Sequence, residues 1–84
     1  MANYVYILQS YKSKRYYCGQ TNSMEQRLQR HNEGKVKSTK SECPWQLIGY
    51  VQLASRSECM QLEKKIKGRG IERWLVENYK LLTH

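Results

Sequence analysis

The sequence predicts a small α+β domain in which a three-stranded antiparallel sheet is flanked by helices, in the order β-β-α-β-α-α. Aromatic and β-branched residues are concentrated in three short runs, which is typical of strands. The intervening segments carry helix caps and apolar residues at helical spacing. The 84 residues suffice for one modest core. Since no repeat or linker divides them, we expect a single domain over residues 1–84.

The first twenty residues predict a β-hairpin. Residues 3–9 and 15–20 have strand composition, and the polar segment 10–14 between them is turn-like. Because alternate residues of a strand share a face, Tyr4 and Tyr6 point the same way.

A first helix is predicted over residues 23–33. Asn22 is a suitable N-cap, Glu25 completes a capping box, and Gly34 is a suitable residue to end the helix. Arg27 and His31 are four residues apart and therefore neighbours on the helix surface.

The second half of the chain predicts a basic loop, a strand and two helices. The loop spans residues 35–44 and the third strand residues 45–53. Ser55 and Glu58 predict the start of a helix that buries Cys59, Leu62 and Ile66. The Gly-Arg-Gly segment 68–70 is expected to break this helix before a last one over residues 71–81.

The charge of the chain points to a polyanionic partner. Fifteen Lys and Arg stand against seven acids, which gives a formal charge of +8. Nucleic acid is the first candidate and an acidic membrane surface the second, against the simpler interpretation of surface solubility.

Several classes of protein are disfavoured by what the sequence lacks. All seven acids are glutamates, so the carboxylate cluster of a two-metal phosphodiesterase would be hard to build. There is no Gly-rich phosphate loop of the Gly-Lys-Ser/Thr type. Three scattered cysteines form no zinc motif and are interpreted as reduced thiols. No signal peptide or membrane helix is recognisable, so we expect a cytoplasmic protein.

Two tyrosine motifs carry a family resemblance. Tyr4-Val5-Tyr6 and Tyr17-Cys18-Gly19 resemble the paired motifs of the GIY-YIG nuclease superfamily, in particular its small stand-alone members and the excinuclease UvrC N-terminal domain. The order of later residues is also similar: Thr21-Asn22, Arg27-Leu28, His31-Asn32, Gly34-Lys35, Ser38-Thr39-Lys40 and Glu63-Lys64-Lys65-Ile66-Lys67. The match extends from about residue 3 to residue 76.

The resemblance implies a role for each matched site residue. Tyr6 and Tyr17 would line the catalytic site, Arg27 would stabilise charge on phosphate, and His31 would lie near the nucleophile. Glu63 would bind one divalent metal ion, Mg²⁺ or Mn²⁺. The general base stays open between Tyr6, Tyr17 and His31. Because tyrosine is a weak base at neutral pH, we expect nearby cations to lower the pKa of a catalytic tyrosine.

Each of these residues also has an ordinary structural interpretation. The tyrosines suit strand packing, Arg27 a solvated helix face, and His31 the negative end of a helix dipole. Glu63 could form an i,i+4 pair with Lys67. The match is also incomplete: the first motif lacks its glycine and isoleucine, Cys18 replaces an isoleucine, and Gln20 stands where several nucleases have lysine. After Lys67 the sequence departs from the stand-alone members.

Three functions therefore compete. The first is a metal-dependent DNA endonuclease or nickase, the second a non-catalytic nucleic-acid-binding module with the same fold, and the third a basic domain that binds a protein complex. A protein partner could also supply specificity to the first. Phosphate contacts are expected from six basic residues: Lys35, Lys37, Lys40, Lys64, Lys67 and Arg69. Such binding would be weak, salt-sensitive and selective for structure rather than sequence.

Overall fold

The computed structural model describes residues 2–84 and has the predicted element order. The strands are β1 (Asn3–Ser10), β2 (Tyr16–Thr21) and β3 (Trp45–Leu53), and the helices are α1 (Met24–Asn32), α2 (Arg56–Arg69) and α3 (Ile71–Asn78). Two short 3₁₀ turns, Lys40–Glu42 and Tyr79–Leu81, complete the structure. The predicted α+β class, with a three-stranded antiparallel sheet and helices in the order β-β-α-β-α-α, is confirmed. No helix within residues 2–84 has the length and apolar character needed to cross a membrane.

The sheet has the order β2-β1-β3, and both pairings are antiparallel. The central strand β1 places Tyr6 opposite Gly19 of β2 on one side and opposite Tyr50 of β3 on the other. A register irregularity between Ile7 and Leu8 interrupts the pairing with β3. Strand β1 is buried from Val5 to Leu8 because it has a strand on each edge and helices on both faces.

Two apolar clusters, one on each face of the sheet, form the core. Helices α2 and α3 cover the larger cluster, which includes Val5, Ile7, Cys18, Ile66 and Trp74. Helix α1 covers the smaller cluster, whose buried members are Tyr6, Leu8 and Trp45, with Met24 and Leu28 packed against them. Residues of β1 alternate between the two clusters, as the period of a strand requires.

Helix α1 begins one residue later than predicted, and the predicted capping box is wrong. Ser23, not Asn22, is the N-cap residue, and its side chain makes no capping hydrogen bond. The hydroxyl of Thr21 instead accepts a hydrogen bond from the Ser23 amide at 3.1 Å. This side chain orders the turn before the helix, so Asn22 is left outside it. At the other end, Gly34 has the positive φ of 73° expected of a residue that terminates a helix.

The break predicted at residues 68–70 occurs at the last of them, Gly70. Ser55 caps α2 as expected, and its hydroxyl accepts from the Glu58 amide at 3.1 Å. The helix continues through Gly68, because a lone glycine weakens a helix without ending it. Gly70, with φ of 95°, ends α2 and begins α3. The last predicted helix stops at Asn78 and continues only as a 3₁₀ turn.

The end of the chain packs on β3 at a glycine. Tyr50 and Thr83 exchange backbone hydrogen bonds of 2.9 and 2.7 Å, and Leu82 lies over Gly49. A Cβ atom on Gly49 would be 2.9 Å from Cβ of Leu82 and 3.0 Å from the carbonyl oxygen of Thr83. Gly49 therefore allows the final segment to close on the sheet.

We expect Gly49→Ala to destabilise the fold by about 1–3 kcal/mol, since the new methyl group would displace backbone. Gly68→Ala is the matched control, because no atom lies within 4 Å of the corresponding Cβ position. As a helical residue it should gain about 0.5–1 kcal/mol. Urea unfolding of both variants measures the difference in stability. Equal midpoints would show that the final segment shifts to accommodate the methyl group without destabilising the fold.

Candidate active site

A buried chain of hydrogen bonds joins β1, α1 and the loop after α1. The hydroxyl of Tyr6 lies 3.0 Å from Nε2 of His31, and Nδ1 of His31 lies 2.7 Å from Oγ1 of Thr39. All three residues are almost completely buried. The Thr39 hydroxyl also donates to the carbonyl oxygen of Val36 at 3.4 Å. It therefore accepts from Nδ1–H of His31, and the lone pair of Nε2 accepts from the Tyr6 hydroxyl.

Aromatic rings enclose this chain of hydrogen bonds. The ring centroid of His31 lies 5.1 Å from that of Tyr17 and 6.5 Å from that of Trp45. The Trp45 indole N–H donates to the Thr39 carbonyl oxygen at 3.1 Å. In addition, the side chain of Asn32 accepts from the Trp45 amide at 2.6 Å. The bond to Thr39 holds the basic loop against β3, and the bond to Asn32 holds the end of α1 against it.

Gly19 makes room for the Tyr6 hydroxyl. A Cβ atom at this position would be 2.5 Å from Oη of Tyr6, which is shorter than any tolerated contact. The glycine of the second tyrosine motif thus lets the phenol of the first lie across β2. Packing against Tyr6 therefore explains why a glycine stands at this position of the motif.

The protonation of the Tyr6–His31 pair follows from burial. Burial, followed by the neighbouring Tyr17, raises the pKa of Tyr6 above its ordinary value. Burial, followed by the charge of Arg27, lowers the pKa of His31 to about 4. At neutral pH the proton therefore stays on the tyrosine and the imidazole is neutral. The expectation that nearby cations lower the pKa of a catalytic tyrosine is wrong for Tyr6, because desolvation outweighs Arg27.

Arg27 lies one turn before His31 on α1 and is partly exposed. It lines a cavity with Gln20 and Asn22, and within residues 2–84 it forms no ion pair. Its charge acts on both Tyr6 and His31. The guanidinium is therefore close to the buried pair and open to an anion in the cavity.

Glu63 approaches from the other side of the edge strand β2. It lies on α2, whose apolar residues cover the opposite face of the sheet, and its side chain is 20% exposed. Its charge contributes to the raised pKa of Tyr6 and, after burial, to that of Cys18, which is raised to about 12. Gln20 lines both the Arg27 cavity and a second cavity that includes Glu63 and Lys67. The predicted site residues thus surround β2 from two faces, with Gln20 between them.

Glu63, the residue to which the resemblance assigns a metal ion, shares its cavity with no second carboxylate. No group of three or more His, Cys, Asp or Glu that could hold a metal ion occurs in the described part of the chain. Mg²⁺ and Mn²⁺ are nevertheless bound in many sites by one or two carboxylates, water and substrate phosphate. Here the Lys67 ammonium lies 2.7 Å from Oε2 of Glu63. A metal ion would have to displace it.

The six predicted phosphate-contacting residues fall into two groups. Three are ion-paired: Lys35 with Glu33 at 3.1 Å, Lys67 with Glu63, and Arg69 with Glu77 at 2.9 Å. The other three are exposed and form no ion pair within residues 2–84: Lys37, Lys40 and Lys64.

Sequence reasoning missed Thr39, Trp45 and Arg56 as members of this region. Thr39 lies in the matched segment Ser38-Thr39-Lys40 but was given no role there, and no local signal marks Trp45, because the approach of both residues to His31 depends on tertiary packing. Arg56 lines the same cavity as Arg27. A signal for it exists, since a cation in the first turn of a helix opposes the helix dipole.

The lowered pKa of His31 predicts a pH-dependent stability. Because the unfolded chain binds a proton near pH 6.5 and the folded chain only near pH 4, the contribution of His31 is complete above pH 6.5. As the pH falls from 6.5 to 4, the free energy of unfolding therefore decreases by about 3 kcal/mol. Urea midpoints between pH 4 and 7 should therefore fall less steeply in His31→Gln than in wild type.

His84→Gln is the matched control, since His84 is the other histidine and is exposed. It should keep the wild-type slope. A wild-type slope in His31→Gln would contradict the assignment of a buried neutral imidazole.

Comparison with known proteins identifies relatives over most of the chain. An UPF0213 protein of Oceanobacillus iheyensis is 39% identical over 66 residues, covering 77% of this chain and 76% of the relative. One from Syntrophus aciditrophicus is 43% identical over 67 residues, covering 77% and 76%. The solution NMR structure of an UPF0213 protein from Bacillus halodurans has a TM-score of 0.57 and 31% identity, covering 92% of this chain and 84% of that one. The names of these relatives state no activity.

The family model described as the GIY-YIG catalytic domain matches residues 2–71. This range contains both tyrosine motifs, Arg27, His31 and Glu63. The family suggests nuclease activity, which is generally dependent on a divalent metal, and implies interaction with nucleic acid. The chain belongs to the GIY-YIG family.

Proposed function

We propose that this protein is a metal-dependent endonuclease or nickase that hydrolyses phosphodiester bonds of nucleic acid, with DNA as the preferred substrate. The observation that carries the proposal is the hydrogen bond from the Tyr6 hydroxyl to His31 Nε2, with Arg27 beside it at an open cavity. A buried proton donor and acceptor next to an anion-accepting guanidinium suit the activation of a water against phosphate.

The hydrogen-bond pattern supports Tyr6 and His31 as a joint base. In this mechanism the Tyr6 hydroxyl passes its proton to Nε2 of His31 and takes one from the attacking water. The water oxygen then bonds to phosphorus, and the bond to the leaving ester oxygen breaks. Burial and, to a lesser extent, the charge of Arg27 lower the pKa of His31. A phosphate that neutralises Arg27 would remove the second effect and make the transfer easier, so the base would be more active when substrate is bound.

The remaining site residues act on the phosphate. Arg27 presents a fork of donors suited to the charge that develops on the phosphate oxygens. Tyr17, whose ring packs 6.3 Å from that of Tyr6, would contact the substrate beside it. Glu63 would hold one Mg²⁺ or Mn²⁺, and such an ion would stabilise the negative charge of the leaving oxygen.

Substrate affinity would come mainly from charge. The exposed Lys37, Lys40 and Lys64 support phosphate contacts without base recognition, as do the ion-paired Lys35, Lys67 and Arg69 once their partners release them. Binding is then salt-sensitive and selective for structure, and a protein partner could add specificity. The bacterial relatives and a nucleic acid substrate support a cytoplasmic location.

A non-catalytic nucleic-acid-binding module is the second candidate. The observation that favours it is the Glu63–Lys67 ion pair, since this i,i+4 arrangement is common on helices that have no metal site. In that case Glu63 would be structural and the positive charge alone would be functional. A basic domain that binds a protein complex remains a third candidate.

Strand cleavage separates the first two functions. Supercoiled, branched and single-stranded DNA are incubated with Mn²⁺ or Mg²⁺ and wild type, Glu63→Gln, Arg27→Gln or Lys80→Gln. We expect metal-dependent nicking by wild type and by the Lys80 control, and losses of about 100-fold or more in the other two variants. Binding without cleavage by every protein would favour the module.

The competition between Lys67 and a metal ion is testable without catalysis. Removing the ammonium frees the Glu63 carboxylate, so Lys67→Met should bind Mn²⁺ several-fold more tightly than wild type, as measured by electron paramagnetic resonance of free Mn²⁺. Lys64→Met is the matched control, because Lys64 carries the same charge on the same helix but forms no ion pair within residues 2–84. Glu63→Gln should not bind.

Equal affinities of the Lys67 and Lys64 variants would show that only the general charge changed. Binding retained in Glu63→Gln would place the cation on other residues.

A further inference from the structure

The cavity beside Arg27 extends to a second basic residue at the end of the sheet where β1 begins and β2 and β3 end. Two arginines, four neutral polar residues and one cysteine line it: Arg27, Arg56, Asn3, Gln20, Thr21, Asn22 and Cys59. No carboxylate lines the cavity. The cavity therefore presents positive charge and neutral polar groups to an anion. These groups come from the end of β2 and from the first turns of α1 and α2.

Arg56 occupies a position that is unfavourable for the folded chain alone. It is the first residue of α2, directly after the N-cap Ser55, where the positive end of the helix dipole repels a cation. It also shares the cavity with the like charge of Arg27. Within residues 2–84 neither guanidinium forms an ion pair that would offset this repulsion. A bound anion would offset both effects.

A neighbouring cavity contains Glu63, and Gln20 lines both cavities. On α2, Arg56 and Glu63 are seven residues apart, which is two helical turns, so they lie on one face of the helix about 10 Å apart along its axis. Met60 lies between them and lines the Glu63 cavity. Arg56 and Glu63 thus lie on one face of α2, in two neighbouring cavities that share Gln20 of the edge strand β2.

We propose that Arg56, together with the neighbouring amide side chains of Gln20 and Asn22, binds a phosphodiester group of the substrate strand that flanks the group contacted by Arg27. The inference rests on the proposed function in that the ligand is a nucleic acid strand. It adds a binding residue that lies outside the matched motifs. Arg56 contributes affinity and strand direction, and it takes no part in the bond cleavage.

The test is binding without metal, so that no cleavage occurs. A fluorescein-labelled single strand of 15 nucleotides and mixed sequence is titrated in EDTA at several salt concentrations. We expect Arg56→Gln to weaken binding about 5–10-fold and to reduce the slope of log K against log salt by about 0.7, the value for one lost phosphate contact on a single strand. Arg56→Lys should keep most of the slope.

Arg73→Gln is the matched control, because it removes the same charge from an exposed position on α3. It should leave the slope near its wild-type value. Urea unfolding provides a second readout: the midpoint of Arg56→Gln should equal that of wild type or lie slightly above it, since a cation leaves the helix N-terminus.

Equal losses in Arg56→Gln and Arg73→Gln would overturn the proposal, because net charge alone would then explain the binding. A destabilised Arg56→Gln would show a structural role and would also count against it. If wild type cleaves no DNA but Arg56→Gln binds more weakly as described, the flanking site stands and the nuclease proposal fails.

Discussion

The burial of Tyr6 against His31 is the constraint on which the rest of the structure depends. This hydrogen bond connects the central strand to α1, the one helix that covers that face of the sheet. It requires a glycine on the adjacent strand, because any side chain at Gly19 would occupy the space of the phenol. It also requires an acceptor for the second ring nitrogen, which the loop supplies through Thr39. The two tyrosine motifs, α1 and the basic loop are therefore parts of one packing arrangement.

The same burial determines the electrostatics of the site. A chain with a formal charge of +8 would be expected to favour ionised tyrosine, yet Tyr6 holds its proton more firmly than a tyrosine in water. The local loss of solvent outweighs the charge of Arg27 at this position. The net charge thus governs the attraction of the molecule to a polyanion, whereas the pKa of a particular group depends on its immediate surroundings.

The fold was predictable from the sequence wherever local patterns and tertiary packing agree. The three strands lie within a residue of their predicted ends, since their aromatic and β-branched residues also meet the core. Ser55 was recognisable as a cap because its hydroxyl accepts from the amide of Glu58. Asn22 was misjudged because Thr21 orders the turn before α1. The break predicted over residues 68–70 falls at Gly70, whose positive φ ends α2, and not at Gly68, which remains helical.

The candidate site was predictable only through the motifs that define it. Tyr6, Tyr17, Arg27 and His31 were recognised by order and spacing, and the structure brings them to one region. The loop reaches that region through hydrogen bonds of Thr39 with His31 and with the Trp45 indole. No periodicity or composition reveals such bonds. The sign of the Tyr6 pKa shift was likewise hidden, because it depends on how deeply the ring is buried.

The burial of two of the three thiols has a practical consequence. Cys18 and Cys59 face the core and are about 1% exposed or less, so a maleimide or spin-label reagent reaches them only when the chain opens. Cys43 is partly exposed and lies at the end of the basic loop, near Thr39 and Trp45. Towards alkylating reagents the folded chain therefore behaves as a single-cysteine protein. Its natural attachment point lies on the loop whose Thr39 contacts His31, where a probe would report on the surroundings of that loop.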